Sequence, residues 1–432
     1  MPEQLLLSIE KLVYGGDGLA HSEGNTIFVP YVLPGEQVRA AAKSKKKKLI
    51  WADLLEVTSA ANTREKARCP HFQVCGGCHY QHISAAEQLQ VKKEILRETL
   101  SRLGGIQWDR PIQEHAAEPY GYRNRAQWAL RSGQPRAFGY FLPESSTIVP
   151  IDECPVLSPM LTKTFLQLQE MARSGQLPDK IVEIEAFADS ADTKIALNIA
   201  FERFPMPAAA LATIFQEALP QLHSLLLLDK SKDRFELTGP GYLLHEAGGF
   251  QFRVSHLSFF QVNRFLIEDL LKTVTAKVHG NLALDLFAGV GFFTLPLARA
   301  FKKVVSVDAN LSATRDLHVN AEKAGLAVVS HNEHAEEFLR KMTDTPDFVL
   351  LDPPRAGLGA DVAAKLAAVG AKEIAYLSCD PSTLARDLAV LTGSRGASSS
   401  TAPRYEIVEM HLFDLFPQTY HIETLVRLRR TP

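Results

Sequence analysis

The sequence has few cysteines, and it lacks any long run of hydrophobic residues. Five of its 432 residues are cysteine. No uncharged apolar stretch approaches the roughly 20 residues that a membrane-spanning helix needs. The apolar stretch at the N-terminus is interrupted by Glu3, Glu10 and Lys11, so no signal peptide is predicted. We therefore expect a cytoplasmic protein with no membrane partner, a setting that disfavours structural disulfides.

An excess of charge of one sign is also absent. The chain has 47 Lys and Arg against 49 Asp and Glu, a formal net charge of −2. A polyanion such as RNA would therefore have to bind at local basic patches. Hydrophobic content of 46% and charged content of 22% are ordinary for a soluble globular protein, and the length suits two or three domains.

Four of the five cysteines form a pattern that predicts a metal site. They are Cys69, Cys75, Cys78 and Cys154. A tight turn at Gly76-Gly77, where glycine supplies unusual backbone angles, can direct the two flanking sulfurs to one point. Four thiolates suit either a tetrahedral zinc or an iron–sulfur cluster.

Spacing and neighbours leave the kind of metal open. The uneven spacing of the four cysteines favours iron–sulfur over a zinc ribbon. Three nearby histidines could instead complete a zinc site: His71, His79 and His82. Two disulfides are a disfavoured alternative in a large cytosolic chain.

Residues from about 4 to 58 alternate strand-like runs with turn signals, which predicts a small β-barrel. The runs are Leu5–Lys11, Thr26–Tyr31, Gln37–Lys43 and Leu49–Val57, with a turn predicted at 15–18. Small barrels often bind single-stranded nucleic acid. A lysine-rich hairpin joins the last two runs and offers phosphate contacts, with a solvated loop as the alternative. The candidates for these contacts are Lys45, Lys46 and Lys47.

The middle of the chain, from about 110 to 255, mixes helix-like and strand-like runs and predicts an α+β region. Before it, an amphipathic helix is predicted over Ser84–Leu103, begun by Ser84 and Glu87 as a capping box. Arg123 and Arg125 lie among tyrosines, which suits base stacking and phosphate contact, or else an exposed strand edge. Residues 392–403 are predicted to be a flexible loop by composition.

From about residue 256, short apolar strands alternate with helices, which predicts a parallel sheet with crossover helices. The strands are Ala283–Phe287, Lys303–Asp308, Phe348–Asp352 and Ile374–Ser378. The first leads into a glycine-rich turn, Gly289-Val-Gly291, that lets a ligand approach a helix N-terminus. Thr294 replaces the third glycine of the dinucleotide fingerprint. Asp308 can bond ribose hydroxyls or, alternatively, cap a helix, and the combination favours S-adenosylmethionine.

Two further polar residues end strands of the same sheet. In Asp352-Pro-Pro-Arg355, the prolines fix the backbone and hold Asp352 at the edge where ligands bind. Cys379 ends the following strand in Ser378-Cys379-Asp380-Pro381. A lone cysteine in an apolar context is more often a small core residue, but the polar neighbours of Cys379 favour a nucleophile.

Taken together, these motifs closely resemble the RNA 5-methyluridine methyltransferases. The likeness is specifically to the ribosomal RNA branch with an N-terminal TRAM domain and an iron–sulfur cluster, and it covers essentially the whole length. The motifs that carry it are the cysteine pattern, Phe259-Phe-Gln261-Val-Asn263, Asp285-Leu-Phe-Ala-Gly-Val-Gly, Asp352-Pro-Pro-Arg, Ser378-Cys-Asp-Pro and His421-Ile-Glu423.

The resemblance implies a role for each matching residue. Cys379 would be the nucleophile and Glu423 the general base, although without the resemblance Glu423 would be interpreted as a surface glutamate on a strand. The methyl-donor site would be lined by Gln261, Phe287, Gly289, Asp308 and Asp352. The four cysteines would ligate a [4Fe–4S] cluster with a structural role. The barrel, Arg123, Arg125 and Phe259 would help to hold an unstacked base, with a core position as the alternative for Phe259. Phe292 and His334 depart from the family's pattern.

The implied fold is α/β with three domains. Residues 1–59 would be an OB-like TRAM barrel, 60–255 a central α+β iron–sulfur and RNA-binding region, and 256–432 a Rossmann-like class I S-adenosylmethionine-dependent methyltransferase domain. The helix at 84–103 could pack on the catalytic domain. We expect a monomer that acts on 23S ribosomal RNA and not on DNA.

Two other functions stay open. An amino-group methyltransferase would leave Cys379 unused, and Arg355 stands where such enzymes have an aromatic residue. An RNA-binding assembly factor with a vestigial donor site would not bind S-adenosylmethionine.

Overall fold

The protein is described here by a computed structural model, in which residues 4–131, 133, 135–394 and 404–431 are described. The chain divides into two compact units. The first comprises Met1–Glu98, Tyr140–Val149 and Phe416–His421, and the second comprises Thr99–Gly139, Pro150–Leu415 and Ile422–Pro432. The bounds of the three predicted domains stay a prediction. Most of the loop predicted at 392–403 lies outside the described residues.

The first unit is built on a six-stranded sheet and one helix. Its elements are β1 (Gln4–Ser8), β2 (Lys11–Leu12), β3 (Asp17–Ser22), β4 (Asn25–Pro30), β5 (Gln37–Lys46), β6 (Leu49–Ser59) and α1 (Ala85–Thr99). The sheet has the order β1-β5-β6-β4-β3-β2. Apolar side chains from alternate positions, among them Leu7, Ile27 and Val38, form its core.

The four predicted strands of this unit are confirmed, and the turn predicted at 15–18 is partly wrong. Asp17 and Gly18 begin β3, which pairs with β4. A Cβ on Gly18 would lie 2.3 Å from the side chain of Val32, so glycine is needed for close packing inside a strand.

Helix α1 starts as predicted, since the Ser84 hydroxyl accepts a hydrogen bond of 3.2 Å from the Glu87 N–H. One wider turn at Leu100–Gly104 extends it, and Gly105 ends it with a φ of 64°. The predicted helix is thus confirmed over nearly its full length, and its last turn is wider than that of an α-helix.

The middle of the chain is α+β, as predicted. Its elements are β7 (Gln113–His115), β8 (Arg125–Arg131), β9 (Ala137–Phe141), β10 (Ile148–Pro150), α2 (Pro159–Arg173), β11 (Ile181–Ala188), β12 (Ile195–Phe201), α3 (Ala208–Ala218), β13 (Leu222–Asp229), β14 (Arg234–Thr238), β15 (Tyr242–Ala247) and β16 (Phe250–Ser255). A seven-stranded sheet has the order β10-β9-β8-β11-β12-β13-β14, while β15 and β16 form a separate hairpin.

The remaining elements, together with β7, build an eight-stranded sheet with helices between its strands. They are α4 (Ile267–Val274), β17 (Gly280–Leu286), α5 (Thr294–Ala300), β18 (Phe301–Val307), α6 (Leu311–Lys323), β19 (Val329–His331), α7 (Ala335–Lys341), β20 (Phe348–Leu351), α8 (Ala360–Val369), β21 (Glu373–Ser378), α9 (Pro381–Thr392), β22 (Tyr405–Phe413) and β23 (Glu423–Arg430). The order is β19-β18-β17-β20-β21-β23-β22-β7. The four predicted strands are confirmed as β17, β18, β20 and β21.

Strands β17 to β21 are parallel, and β23 runs antiparallel between β21 and β22. The wider turn at Leu100–Gly104 packs on α9, where a Cβ on Gly104 would lie 2.9 Å from the Ala385 carbonyl oxygen. This turn therefore contacts a helix that follows a strand of the large sheet. Among the described residues, no helix is long and apolar enough to cross a membrane.

Candidate active site

The candidate active site lies where the parallel strands of the large sheet end. Phe287 follows β17, Asp308 follows β18, Asp352 follows β20 and Cys379 follows β21. Because parallel strands present their carboxyl ends at one edge, these four predicted residues meet there. The sheet order reverses between β17 and β20, and ligands of open α/β sheets bind at such a switch point.

The turn after β17 has a backbone shaped for a ligand. Phe287 has a φ of 65° and Gly289 a φ of 56°, and open space surrounds the point where a Cβ on Gly289 would lie. The Gly289 N–H donates to a carboxylate oxygen of Asp308 at 2.8 Å. Asn310, and not Asp308, caps α6 by accepting from Ser312 and Ala313, so the alternative role for Asp308 is wrong. The residues present therefore fit an adenosine-containing methyl donor.

Buried carboxyl groups face this turn. Burial, together with the charges of Asp352 and Asp308, raises the pKa of Asp285 to about 7, against the opposing effect of a 2.5 Å hydrogen bond from the Thr294 hydroxyl. Burial and the charge of Asp308 raise the pKa of Asp352 to about 7. Asp352 is partly exposed as a residue, but its carboxyl group is enclosed. Such a crevice favours a cationic ligand such as a sulfonium.

Cys379 and Glu423 are neighbours on adjacent strands. Ser378 pairs with Thr424 in the antiparallel register of β21 and β23, so the next residue on one strand faces the preceding residue on the other. Glu423 is buried. Burial and, second, the nearby Glu423 carboxylate raise the pKa of the Cys379 thiol to about 12. Burial and Asp352 likewise raise the pKa of Glu423 well above its ordinary value, while Arg355 lowers it.

The other predicted donor and base contacts lie on the segment after β16. Gln261 is buried, and its carbonyl oxygen accepts a 3.4 Å hydrogen bond from the Asn124 side chain. Phe259 is 61% exposed, which suits a surface that stacks on a base. Phe292 is a core residue, and its ring packs against that of Phe260. His334 stands at the N-terminus of α7 without a capping hydrogen bond from its side chain.

The two predicted arginines have partners within the protein. The Arg123 Nε donates to the Arg125 carbonyl at 2.8 Å. The Arg125 guanidinium forms a bidentate salt bridge with the Glu185 carboxylate, with hydrogen bonds of 2.7 and 3.0 Å, and also donates to the carbonyl of Ser258. These contacts argue against Arg125 as a phosphate-binding residue. They show that it supports the backbone on which Phe259 lies.

The predicted lysines lie at the β5–β6 hairpin. Lys45 and Lys46 pair with Ile50 and Leu49, and Lys47 has a φ of 56° in the turn. All three are exposed. Their ammonium groups thus lie where a phosphate backbone has access to them.

The structure brings together only part of the predicted four-cysteine site. All five cysteines are free thiols, so the disulfide alternative is wrong. Among the described residues, no group of three or more Cys, His, Asp or Glu side chains is arranged to hold a metal ion. The Cys75 thiol nevertheless accepts from the Gly77 N–H, and burial, Cys75 and Cys78 all contribute to raising the pKa of Tyr31 to about 12. Cys75 and Cys78 therefore approach the same phenol.

The glycines between these two cysteines act otherwise than predicted. Neither has a positive φ. A Cβ on Gly76 would lie 2.9 Å from the Phe141 carbonyl oxygen, which accepts the Gly76 N–H. Gly76 is required by this close approach. Cys154 belongs to the second unit.

Asp387 was missed by the sequence prediction. It is fully buried and holds the loop after Asp352 through a 2.7 Å hydrogen bond from the Leu358 N–H. No sequence motif marks it, because its role depends on how α9 packs.

The strand order, the glycine turn and the carboxylates define the class of S-adenosylmethionine-dependent methyltransferases. A model of the family described as "tRNA (Uracil-5-)-methyltransferase" matches residues 84–431. The chain belongs to this family and is an S-adenosylmethionine-dependent RNA uracil-C5 methyltransferase.

Curated relatives match nearly the whole chain. It is 31% identical to 23S rRNA (uracil(1939)-C(5))-methyltransferase RlmD of Alkalilimnicola ehrlichii, over 99% of this chain and 97% of that protein. It is 33% identical to the RlmD protein of Pseudomonas fluorescens, over 97% of this chain and 90% of that protein. An uncharacterized RNA methyltransferase of Aquifex aeolicus is 32% identical, over 98% of each chain.

A solved structure supports the fold. The Pyrococcus abyssi tRNA (uracil-54, C5)-methyltransferase, in complex with S-adenosyl-L-homocysteine, superimposes with a TM-score of 0.77 at 24% identity. The match covers 98% of this chain and 100% of that one.

Proposed function

We propose that the protein methylates C5 of a specific uridine in 23S ribosomal RNA through a covalent bond between Cys379 and C6 of the base. The observation that carries this proposal is the pairing of Ser378 with Thr424, which sets a thiol and a carboxyl group against each other beside Asp352. A nucleophile and a base at adjacent positions are what this chemistry requires.

The proposed steps account for each proton and bond. Uracil C5 is too weak a nucleophile to take a methyl group directly. Attack of the Cys379 thiolate on C6 forms an S–C6 bond and moves electron density to C5, which then takes the electrophilic methyl group that S-adenosylmethionine supplies. Glu423 removes the C5 proton, the double bond between C5 and C6 reforms, and the thiolate leaves.

Both acidic groups must lose a proton before they can act. The pKa of the Cys379 thiol, raised to about 12, means that the substrate-free site holds the thiol mainly protonated near neutral pH, and the pKa of Glu423 is raised in the same direction. Arg355 lowers the pKa of both groups and so favours the reactive forms. The donor would be held by Gln261, Phe287, Gly289, Asp308 and Asp352, the set that lies at or near the switch point.

The choice of ribosomal RNA is supported by the relatives, since two of the three described above carry that activity in their names. The exposed lysine hairpin and Phe259 supply groups that suit phosphate and base contact. The monomeric state and the lack of a DNA partner stay predictions.

We further propose that Cys69, Cys75, Cys78 and Cys154 bind a [4Fe–4S] cluster. The N–H donated by Gly77 to Cys75, and the approach of Cys75 and Cys78 to one phenol, support the first half of such a site. Methyl transfer moves no net electrons, so the cluster would stabilise the fold around it.

A covalent trap tests the mechanism. Anaerobically purified protein is incubated with S-adenosylmethionine and 23S ribosomal RNA fragments that carry 5-fluorouridine. Fluorine at C5 cannot leave as a proton, so the adduct should stall after methyl transfer. Mass spectrometry is expected to find the peptide containing Cys379 linked to methylated fluorouridine.

The outcomes of the trap separate the alternatives. No adduct, from protein that binds the donor and methylates RNA, would indicate amino-group methylation. No donor binding and no methylation would indicate a non-catalytic RNA-binding protein. Cys379→Ala should abolish methylation under our proposal and spare it under the amino-group alternative.

A further inference from the structure

The loop that joins β20 to α8, residues 352–359, is fixed by three side chains on one face of α9. The Thr383 hydroxyl donates to the Arg355 carbonyl at 3.1 Å. The Arg386 guanidinium donates to the Ala356 carbonyl at 2.8 Å, and Asp387 accepts the Leu358 N–H at 2.7 Å. Positions 383, 386 and 387 follow the helical spacing of three and four residues, so they present one continuous surface to the loop.

Asp387 is the centre of this contact, which we call the α9 clamp. Its carboxylate is fully buried and accepts from the Tyr376 hydroxyl of β21 at 2.7 Å and from the Arg386 Nε at 2.9 Å. Gly357 has a φ of 67°, and a Cβ there would lie 2.5 Å from the Asp387 carboxylate. The clamp therefore ties a loop, a helix and a strand to a single carboxylate.

The same helix begins directly behind the nucleophile. Asp380 follows Cys379 and caps α9 by accepting from the N–H groups of Ser382 and Thr383, at 2.8 and 3.0 Å. Thr383 thus takes part both in the turn that holds Cys379 and in the contact with the Arg355 carbonyl. The position of Arg355 relative to the thiol is set by α9.

The charges around Cys379 explain why that position matters. Four charged groups act on the thiol: Glu423, Asp352 and Asp380, which are acids, and Arg355, which is a cation. The acids disfavour the thiolate, and Arg355 opposes them. A cation acts strongly only at short range, so a small displacement of the loop would leave the acids unopposed.

We propose that Asp387 is a positioning residue for the methyl transfer, because through the α9 clamp it holds Arg355 beside the Cys379 thiol. A buried carboxylate is costly unless it is fully hydrogen-bonded, and here it receives donors from three separate places. The proposal rests on the proposed role of Cys379 as the nucleophile.

The test measures the reactivity of Cys379 in the full-length protein. Wild type, Tyr376→Phe, Asp387→Asn and Arg355→Gln are treated with iodoacetamide across a range of pH, and modification of the Cys379 peptide is followed by mass spectrometry. Each clamp variant is expected to slow alkylation at fixed pH by about threefold to tenfold, the effect of a half-unit to one-unit rise in pKa. Tyr376→Phe added to Arg355→Gln should change little more, since both act through one guanidinium.

A matched variant separates positioning from general loosening. The Tyr405 hydroxyl is buried in the same sheet and donates to the Ala371 carbonyl at 3.0 Å. Tyr405→Phe removes a comparable hydrogen bond but should leave the alkylation profile of Cys379 unchanged. In methylation assays the clamp variants should lower kcat, with little change in KM for either substrate.

Two results would overturn the proposal. One is an unchanged alkylation profile in both Tyr376→Phe and Asp387→Asn, and the other is equal slowing in Tyr405→Phe. If Asp387→Asn does not fold, Thr383→Val takes its place, since it removes the contact with the Arg355 carbonyl. Methylation by Cys379→Ala would refute the nucleophile itself, whereas alkylation reports the clamp independently of that role.

Discussion

At the ligand edge, individual carboxyl groups have pKa values above those they would have in water. Asp285 and Asp352 have pKa values raised to about 7 by burial, and that of Glu423 is raised well above its ordinary value by the same cause. Such pKa shifts are concentrated at functional sites, because a bound ligand can offset the free-energy cost of burying these groups. Here the positive sulfonium of the methyl donor is the group that would offset this cost.

The pKa of Asp285 predicts how stability depends on pH. A raised pKa means that the folded protein binds the proton more tightly, so the free energy of unfolding falls as pH rises from about 4 to about 7. Without donor, Asp285→Asn should remove much of this fall, on the order of 2 kcal/mol. Chemical unfolding of wild type and Asp285→Asn at pH 5 and pH 8 measures the free energy of unfolding that this prediction concerns. The exposed Asp109→Asn is the control, and an equally steep fall in Asp285→Asn would contradict the prediction.

The raised pKa of the Cys379 thiol predicts an alkaline rise in activity. In the proposed mechanism both Cys379 and Glu423 must be deprotonated to react, and burial raises the pKa of each. We expect kcat/KM to increase with pH from 7 to 9, measured with RNA and donor at low concentration. Glu423→Gln should lose turnover by a factor of 100 or more (an estimate on the order of a lost general base) and accumulate the RNA adduct. A flat profile would contradict this assignment.

Elements of the first unit are joined by a buried ion pair. Arg64 donates to both carboxylate oxygens of Glu36, at 2.6 and 2.7 Å, and Glu36 also accepts from the Leu33 N–H. Burial by itself would raise the pKa of Glu36, but these hydrogen bonds hold it below its usual value. The pair ties the segment after β6 to the turn before β5.

Breaking that pair should destabilise the first unit. Arg64→Ala leaves a buried carboxylate without its partner, a change that costs about 3–5 kcal/mol. Glu56→Ala removes an exposed pair with Arg39 and should cost about 1 kcal/mol or less. Thermal unfolding of both variants measures their losses of stability. Equal losses in Arg64→Ala and Glu56→Ala would show that the buried pair contributes no more than the exposed one.

The lysine hairpin predicts a salt-dependent term in RNA binding. If Lys45, Lys46 and Lys47 each contact one phosphate, replacing all three by alanine should reduce the slope of log K against log salt by about 2. Filter binding of a single-stranded 23S fragment at several salt concentrations measures the slope. The control replaces three lysines elsewhere by alanine: Lys302, Lys303 and Lys323. An equal reduction of the slope in this control would contradict the prediction that the hairpin lysines contact phosphates.

Sequence patterns predicted elements well where side-chain periodicity is strong. Strands β17, β18, β20 and β21 and helix α1 were all predicted, because their apolar residues follow the period of the element. Strand β3 was missed because its first residues, Asp17 and Gly18, are typical of turns. Strand β7 was missed because three polar residues carry no periodic pattern.

The site was less predictable than the sheet. The pairing that brings Glu423 to Cys379 joins distant parts of the chain, and only family resemblance suggested it. Arg125 was predicted to contact RNA because cations near tyrosines suit that role. The partner of Arg125, Glu185, lies sixty residues away in sequence, so this ion pair could not be predicted without the three-dimensional fold.

On the scale of the whole molecule, three of the four predicted metal ligands are assigned to a different unit from the predicted donor site, while Cys154 is assigned to the same unit as that site. Cys69, Cys75 and Cys78 belong to the first, and every donor-site residue proposed here belongs to the second. Loss of a metal and loss of donor binding should therefore be separable.

Iron analysis tests that separation. Anaerobically purified wild type is expected to contain about four iron atoms per chain if a [4Fe–4S] cluster forms. Cys75→Ser should lose most of this iron while its affinity for S-adenosylmethionine, measured by calorimetry, stays within about threefold of wild type. The Cys379→Ser variant is the matched control and should keep its iron. Zinc in place of iron would favour the alternative metal.

Strand β23 has a consequence for the order in which the enzyme becomes active during synthesis. It follows the other strands of its sheet in the sequence, yet it lies between β21 and β22 and carries Glu423 at its first position. A nascent chain that ends after β22 already holds the glycine turn, Asp352 and Cys379, but not the base. The proposed pair of thiol and carboxyl group is therefore completed by the last strand of the chain to be made, which has to enter the sheet between two strands that precede it.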